Sequence, residues 1–292
     1  MTGTAGAAAA AYRFEAIGTQ WQIDTIEQLS ASARASIAAV VEDYDRGFSR
    51  FRSDSAVRRA ALPGQHELPG PAAQLEPLYR SLYRLTSGAM TPLVAESLEH
   101  LGYGAEYSLR PGPGFHAAPA WSDAIDWRGT SLQTKLPVVL DLGGAGKGQL
   151  VDLIGDELAA LGIPGSVIDA SGDLRVRGLP AERVALEHPY APEQAIGVVE
   201  LVSGALCGSA SNRRAWGDGL HHVLDGATGK PVQTVVASWA MAESAMLADG
   251  LATALFFVDH DVLATEFDFA SVRVFSDGRA ETSANFNGEI FQ

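Results

Sequence analysis

Cysteine is nearly absent from this 292-residue chain: Cys207 stands alone. An intramolecular disulfide is therefore excluded, and a reducing compartment fits. No run of about 18 apolar residues occurs, so no membrane span is predicted. The opening "MTGTAGAAAAAYRF" lacks a basic stretch, a long apolar core and a lipobox-like cysteine. It does not read as a secretory signal, and a cytoplasmic protein is the expectation. Positive charge is scarce as well. Lysine and arginine number 21 against 35 acidic residues, a net charge of −14. Such a surface argues against a nucleic-acid partner, because phosphate backbones recruit basic faces. A phosphate-bearing ligand in one local pocket is still compatible, with a buried lysine or a divalent cation more necessary there.

Other absences narrow the organisation. No internal repeat and no low-complexity linker divides the chain. A tail over 1–10 and a single domain over 11–292, large enough for two lobes, are expected. The composition, 47% apolar and 19% charged, is that of an ordinary globular protein.

Apolar periodicity then places the elements. "YRFEAIGTQWQIDT" (12–25) alternates and breaks at Gly18, which predicts two strand segments around a turn or bulge. Helical spacing predicts helices over 30–51, 77–88, 91–104, 147–162 and 244–258, with Pro92 suited to a first turn. "PVVLDLG" (137–143) reads as a buried strand. Strands are also expected over 165–173, 183–189, 195–209, 221–232, 236–242 and 270–276, and a surface loop with a short hairpin over 105–128. Strands and helices mix without βαβ alternation, so the fold class is α+β.

Chemistry concentrates in "LDLGGAGKGQLVD" (140–152), where four glycines surround one lysine at a helix start. Backbone N–H groups and the helix dipole favour anions there, and Lys147 adds a full charge. The Walker pattern fails, with Asp141 and Gly148 at its signature positions, and a dinucleotide fingerprint from Gly144 fails at Gln149. Tight strand–helix packing alone would account for the glycines. Asp141 and Lys147 in the same turn point further, to Asp141 accepting from a ligand ring or sugar or orienting Lys147.

In "SAMLADGLATALFFV" (244–258) Asp249 is the only charged residue. Thr253 follows four residues on, so the two side chains share a face. A buried carboxylate needs a cation or several donors. An Asp and a Thr hydroxyl suit Mg²⁺, although a loop cap or an arginine partner would also satisfy Asp249. His221 and His222 alternate along a short strand, one facing in and one out, and such a histidine can act as a base near neutral pH or simply pack. Cys207 has no charged neighbour and reads as core. No G-x-S-x-G elbow supports a serine hydrolase.

The stretches "AIGTQWQI", "FSRFRSDSAV", "TSGAMTPLV", "LDLGGAGKGQLVD", "ASGDLRVRG", "LEHP", "GSASNRRAW", "HHVLDGATGKP" and "ESAMLADGLATALF", in this order, resemble the ApbE family of FAD:protein FMN transferases. The resemblance implies an α+β, T-fold-like architecture of mixed sheet and packed helices, with FAD in a cleft and Mg²⁺ on its pyrophosphate. It implies cleavage of FAD, release of AMP, and transfer of FMN to a Ser/Thr hydroxyl of an acceptor flavoprotein with an FMN-binding-type domain. By the same resemblance Asp249, Thr253 and the Gly144 carbonyl are metal ligands, and Asp141 and Lys147 contact FAD. Ala89, Met90 and Thr91 line the flavin pocket, Phe51 lies near the adenine or flavin ring, and His222 assists deprotonation of the acceptor hydroxyl.

Four residues at three places depart from the family pattern. Met90-Thr91 replaces Phe-Asp, Gly226 replaces the proline after Asp225, and Phe51 replaces tyrosine. Many family members are exported lipoproteins, a signal not seen here. An FAD pyrophosphatase using the same residues, a non-catalytic FAD-binding protein and a P-loop NTPase are the alternatives.

Overall fold

The computed structural model describes residues 10–291. The tail expected over 1–10 lies outside the described residues except for Ala10, which opens the first strand. Alternation builds a hairpin from β1 (Ala10–Ala16) and β2 (Thr19–Thr25), with Phe14 opposite Trp21. Its two-residue turn holds Ile17 at φ 43° and Gly18 at φ 77°. Two successive left-handed residues match the twist of the flanking strands.

Six strands extend this hairpin: β3 (Ser166–Asp169), β4 (Asp173–Arg177), β5 (Gly204–Ala210), β6 (Val235–Ala242), β7 (Ala270–Phe275) and β8 (Ala280–Thr282). The eight-stranded sheet keeps chain order, and each neighbouring pair is antiparallel. Helices enter as insertions between strands: α1 (Ala31–Phe48), α2 (Ala72–Leu85), α3 (Gly146–Ala160) and α4 (Ala245–Ala254). The result is the α+β arrangement expected from the pattern.

Both faces of the sheet are covered, and period two sorts the side chains between them. Ala205 and Cys207 on β5 join the core beneath the helices, together with Ile168, Leu150 and Leu251. Leu206, between them, faces a second core with Trp239, Leu186 and Val199. Leu186 and Val199 belong to a hairpin of Glu182–His188 and Ala191–Leu201 laid over that face. β6 is therefore buried almost throughout and reads as a continuous apolar run.

The α3–α4 crossing is unusually close. A Cβ on Gly148 would stand 2.1 Å from the Ala245 carbonyl oxygen and 2.7 Å from Asp249 Cβ. Asp152 on α3 caps α4, accepting from the Ala245 and Met246 N–H groups at 2.9 Å each. Arg175 on β4 holds the same carboxylate at 2.7 Å. Ser244 completes the cap by accepting from Leu247 N–H at 3.3 Å.

Three expectations are corrected. Residues 137–143 are extended but join no sheet; they bond singly to other loops, Val138 N–H to the Ala61 carbonyl and Asp141 N–H to the Pro92 carbonyl. Apolar burial without a ladder gave them a strand-like pattern. The helix read over 91–104 shortens to Ala95–His100, with Thr91 and Pro92 outside it and Gly102 at φ 91° reversing the chain. The helix read from 77 begins at Ala72 and carries Pro77 inside. No helix among the described residues is long and apolar enough to cross a membrane.

Gly148→Ala is expected to lower unfolding stability by about 1–3 kcal/mol, the range for overpacking a filled site. Gly155→Ala, on the same helix with only ordinary contacts from 3.5 Å, is expected to be neutral or stabilising by up to about 1 kcal/mol. Urea denaturation of both variants distinguishes a local close approach from a general intolerance of the helix.

Candidate functional site

A cavity of about 990 Å³ opens where the α3 N-terminus, the side of α4, the end of β5 and the loops after α1 and α2 converge. All ten residues singled out from sequence line it: Phe51, Ala89, Met90, Thr91, Asp141, Gly144, Lys147, His222, Asp249 and Thr253. Their side chains, however, are partnered in ways the sequence did not disclose.

Lys147, one residue into α3, reaches the turn between β3 and β4. Its Nζ donates to the Ala170 carbonyl at 3.2 Å and pairs with the Asp173 carboxylate. Asp173 is fully buried. Burial works against the lysine's charge, but Asp173 and Asp249 outweigh it and raise its pKa. Asp173 moves upward in turn, because burial exceeds the pull of Lys147. The turn is shaped by Ser171 and Gly172 at φ 58° and 109°, with Ser171 Oγ donating to the Gln20 carbonyl at 2.8 Å.

Asp249 lies beneath this turn, and its Oδ2 accepts from Gly148 N–H at 2.9 Å. Part of the helix N-terminus that the sequence aimed at a phosphate is thus occupied by a side chain. Burial raises the Asp249 pKa, Asp173 adds to the rise, and Lys147 and the Gly148 bond oppose it. Thr253, one turn on, places Oγ1 3.3 Å from Ser209 Oγ. Gly144 is adjacent: a Cβ there would sit 3.4 Å from Thr253 Cγ2 and 3.6 Å from the Tyr79 hydroxyl. That hydroxyl is buried without a hydrogen-bond partner.

This donor set is entirely hard oxygen. Among the described residues no group of three or more His, Cys, Asp and Glu forms a metal cage. One carboxylate beside neutral oxygens suits Mg²⁺, which keeps waters and shares substrate phosphate rather than filling an all-protein shell. The chemistry of these oxygen donors fits the ion.

Asp141 does not orient Lys147. Arg50, only 2% exposed, donates Nε to its Oδ2 at 2.6 Å, while Asp141 Oδ1 caps Gly143 N–H at 2.8 Å. Arg50 also donates to the Tyr103 carbonyl at 2.9 Å and lies 3.6 Å from Glu99. Its guanidinium covers the Phe51 ring at 4.1 Å. Phe51 stacks on Tyr107 at 5.5 Å and Tyr103 on Trp216 at 5.4 Å, which makes an aromatic wall.

Ala89, Met90 and Thr91 form another part of the lining. Met90 N–H donates to Thr86 Oγ1 at 2.9 Å, and Leu93 N–H to Thr91 Oγ1 at 3.2 Å. Gly226 lies against it, with N–H donated to the Ala89 carbonyl at 2.8 Å.

The histidine pair divides as its alternation suggested. His221 is buried, with Nε2 at 2.8 Å from the Val232 carbonyl and Nδ1 accepting from Val223 N–H at 3.3 Å. His222 lines the cavity, and its Nδ1 is buried without a partner. Titration near neutrality does not hold for it. Burial, reinforced by Arg214 and His221, pushes its pKa down to about 3. The ring is neutral at ordinary pH and can accept a hydrogen bond at Nδ1.

Cys207 is core, as expected, with its thiol directed to the Ala245 carbonyl at 3.4 Å and its pKa raised by burial. Sequence reasoning passed over Arg50, Asp173, Ser209 and Arg214, although each lies in or beside a stretch already singled out.

Similarity to known proteins agrees with this geometry. The family model described as ApbE family matches residues 17–267. An FAD:protein FMN transferase of Vibrio cholerae is 27% identical over 261 residues, 82% of this chain and 78% of the relative. One of Rhodobacter capsulatus is 26% identical over 299 residues; there this chain spans 56% of the relative's length. Among solved structures, flavin transferase ApbE from Vibrio cholerae superposes with a TM-score of 0.76 at 22% identity, covering 95% of this chain and 97% of that one. The apbe protein from Thermotoga maritima gives 0.81 at 23% identity, covering 94% and 97%. At these identities the superpositions establish a shared fold.

Two outcomes are expected. Asp141→Ala leaves Arg50 buried beside Glu99 alone and should cost about 3 kcal/mol or more, the range for breaking one half of a buried pair. Asp141→Leu with Arg50→Met should recover much of that loss in urea denaturation. His222 supplies the second outcome. Its folded pKa lies below the unfolded value, so the unfolded state binds more protons between pH 6.5 and about 3. Stability is therefore lost as pH falls across that window. His222→Gln should flatten this acid limb when stability is measured as a function of pH.

Proposed function

The chain belongs to the ApbE family, and on that premise we propose that it is a Mg²⁺-dependent FAD:protein FMN transferase. FMN passes from FAD to a Ser or Thr hydroxyl of an acceptor protein with an FMN-binding-type domain, and AMP is released. The observation that carries this reading is the meeting of Lys147, Asp249 and Thr253 at the floor of one cavity whose far wall is aromatic. At about 990 Å³ the cavity is at the upper end of small-ligand sites, as an extended dinucleotide needs.

Phosphoryl transfer asks a protein mainly for positioning and for charge neutralisation. Asp249, Thr253 and the Gly144 carbonyl would hold the Mg²⁺. When bound, the ion would supply charge neutralisation at phosphate oxygens. Lys147 sits at the helix start with its ammonium pinned by Asp173, so its charge is placed before substrate arrives. Phe51, covered by Arg50 and stacked on Tyr107, contributes to the aromatic wall against which a ring system can lie. Ala89, Met90 and Thr91 line the same cavity. His222 presents an unpaired Nδ1 that accepts the hydrogen bond of an incoming hydroxyl and orients its oxygen toward phosphorus. Asp141 keeps Arg50 in place and supports the aromatic wall.

Incubation with FAD, Mg²⁺ and an FMN-binding-type acceptor should give a fluorescent flavin–protein band that survives denaturation, with AMP released in equal amount. Asp249→Ala should reduce the rate by about 100-fold or more, since removing charge stabilisation at a transferring phosphoryl typically costs that much. Absence of a band across several such acceptors would overturn the transferase reading. AMP appearing equally fast without acceptor would make the enzyme an FAD pyrophosphatase instead.

A further inference from the structure

We infer that Arg214 is a further substrate-binding residue, whose guanidinium takes the diphosphate of the dinucleotide. The inference deepens the FAD reading and rests on it. Five lysine and arginine side chains line the cavity. Four are held by carboxylates: Arg50 by Asp141, Arg52 by Asp45 and its neighbours, Lys147 by Asp173, and Arg213 by Glu187. Arg214 is the one without a carboxylate within ion-pair distance among the described residues. In a chain with 35 acidic residues against 21 basic ones, a half-buried arginine left without an acid requires an explanation.

Its placement supplies one. Arg214 ends the short turn Ser211–Arg214 between β5 and the histidine strand. Its carbonyl accepts from His222 N–H at 3.2 Å, so the backbones of the two residues are fixed together. Its guanidinium carbon lies 5.9 Å from the centre of the Tyr103 ring, at the aromatic wall. Arg214 lines the same cavity as Lys147, Asp249 and Thr253. The guanidinium thus stands in that cavity beside the aromatic wall, within the space a bound dinucleotide would occupy.

The chemistry suits the residue. A diphosphate diester is dianionic, and the charge of Lys147 is already offset by Asp173. A guanidinium presents a planar fork of donors that matches paired phosphate oxygens, which an ammonium does not. In the transfer step the acceptor oxygen bonds to the phosphorus of the FMN half. The bond from that phosphorus to the bridging oxygen breaks, and its electron pair leaves on the AMP phosphate. The acceptor's proton is lost to solvent. Arg214 exchanges no atom; it offsets charge on the diphosphate.

Binding of FAD, ADP and riboflavin to the full-length protein with Mg²⁺, measured by calorimetry, tests this without requiring turnover. Arg214→Gln should weaken FAD and ADP by about 10- to 100-fold, as loss of a charge-assisted pair predicts, and leave riboflavin within about twofold. Arg214→Lys should recover part of the loss, and the salt dependence of ADP binding should become shallower in the glutamine variant. ADP affinity within about twofold of wild type, or an equal loss for riboflavin, overturns the assignment. Wild type that binds FAD and ADP but never transfers flavin would defeat the transferase reading and leave Arg214's role standing. Wild type that binds neither would end both.

Discussion

The site depends on one approach of two helices. Gly148 on α3 has no Cβ, so α4 comes close enough for the Asp249 carboxylate to accept the Gly148 N–H at 2.9 Å. Any side chain at 148 would collide with the Ala245 carbonyl. That contact settles the rotation of α4, which then carries Thr253 one turn along to the cavity and Gly250 against Leu78 and Leu82 of α2. Asp152 and Ser244 lock the start of the same helix by accepting from three N–H groups of its first turn, those of Ala245, Met246 and Leu247. The oxygen donors at the floor are therefore placed by backbone proximity and helix capping, not by a metal cage.

Charge is arranged around that floor with equal economy. The protein is acidic overall, yet five cations line its cavity, and four of them are bound to an acid. Such pairs are costly to assemble because both partners lose water, and they are damaging to break because one charge is then stranded. Their consequence is directional. Asp173 sets where the Lys147 ammonium sits, and Asp141 sets where the Arg50 plane lies under Phe51. Neither group must reorganise when a ligand enters, which is the condition under which fixed charges act most strongly on a reacting phosphate. Arg214 is the exception in the cavity, and its unclaimed charge complements the paired ones.

Local patterns in the sequence were legible, and long-range partners were not. The alternation in "TQWQIDT", the helix from Gly146 and the Asp249–Thr253 spacing each report on a few consecutive residues, and each appears where periodicity put it. Arg50 lies among Arg46, Arg52, Arg58 and Arg59, and nothing local says which of them turns inward. Its burial follows from Asp141, 91 residues away, and from the Tyr103 carbonyl. Asp173 reads as an ordinary turn acid until Lys147 is brought beside it. The segment 137–143 failed as a strand because Val138, Leu140 and Leu142 are buried against other parts of the fold without a ladder partner. The histidine's chemistry was misjudged for a similar reason. A residue type suggests a pKa near neutrality, but desolvation is a property of the assembled wall.

The departures from the family pattern also acquire a structural meaning when they are placed together. Thr91 and Gly226 are 135 positions apart in sequence by their numbering, yet a Cβ on Gly226 would stand 2.4 Å from Thr91 Cγ2 and about as close as 3.0 Å to the Gly88 carbonyl. Proline at 226 would meet that methyl group and would also remove the N–H now donated to the Ala89 carbonyl. The two substitutions are therefore one adjustment. The branched Thr91 side chain fills space that a ring at 226 would occupy, and the glycine lets the histidine turn close on the wall through a backbone hydrogen bond. The Gly226 carbonyl then accepts from Ala118 N–H, at 2.8 Å, and ties in the loop ahead of Trp121. What reads in sequence as erosion of a motif at two places is, in the fold, a repacked joint that holds Ala89 and Met90 against the cavity.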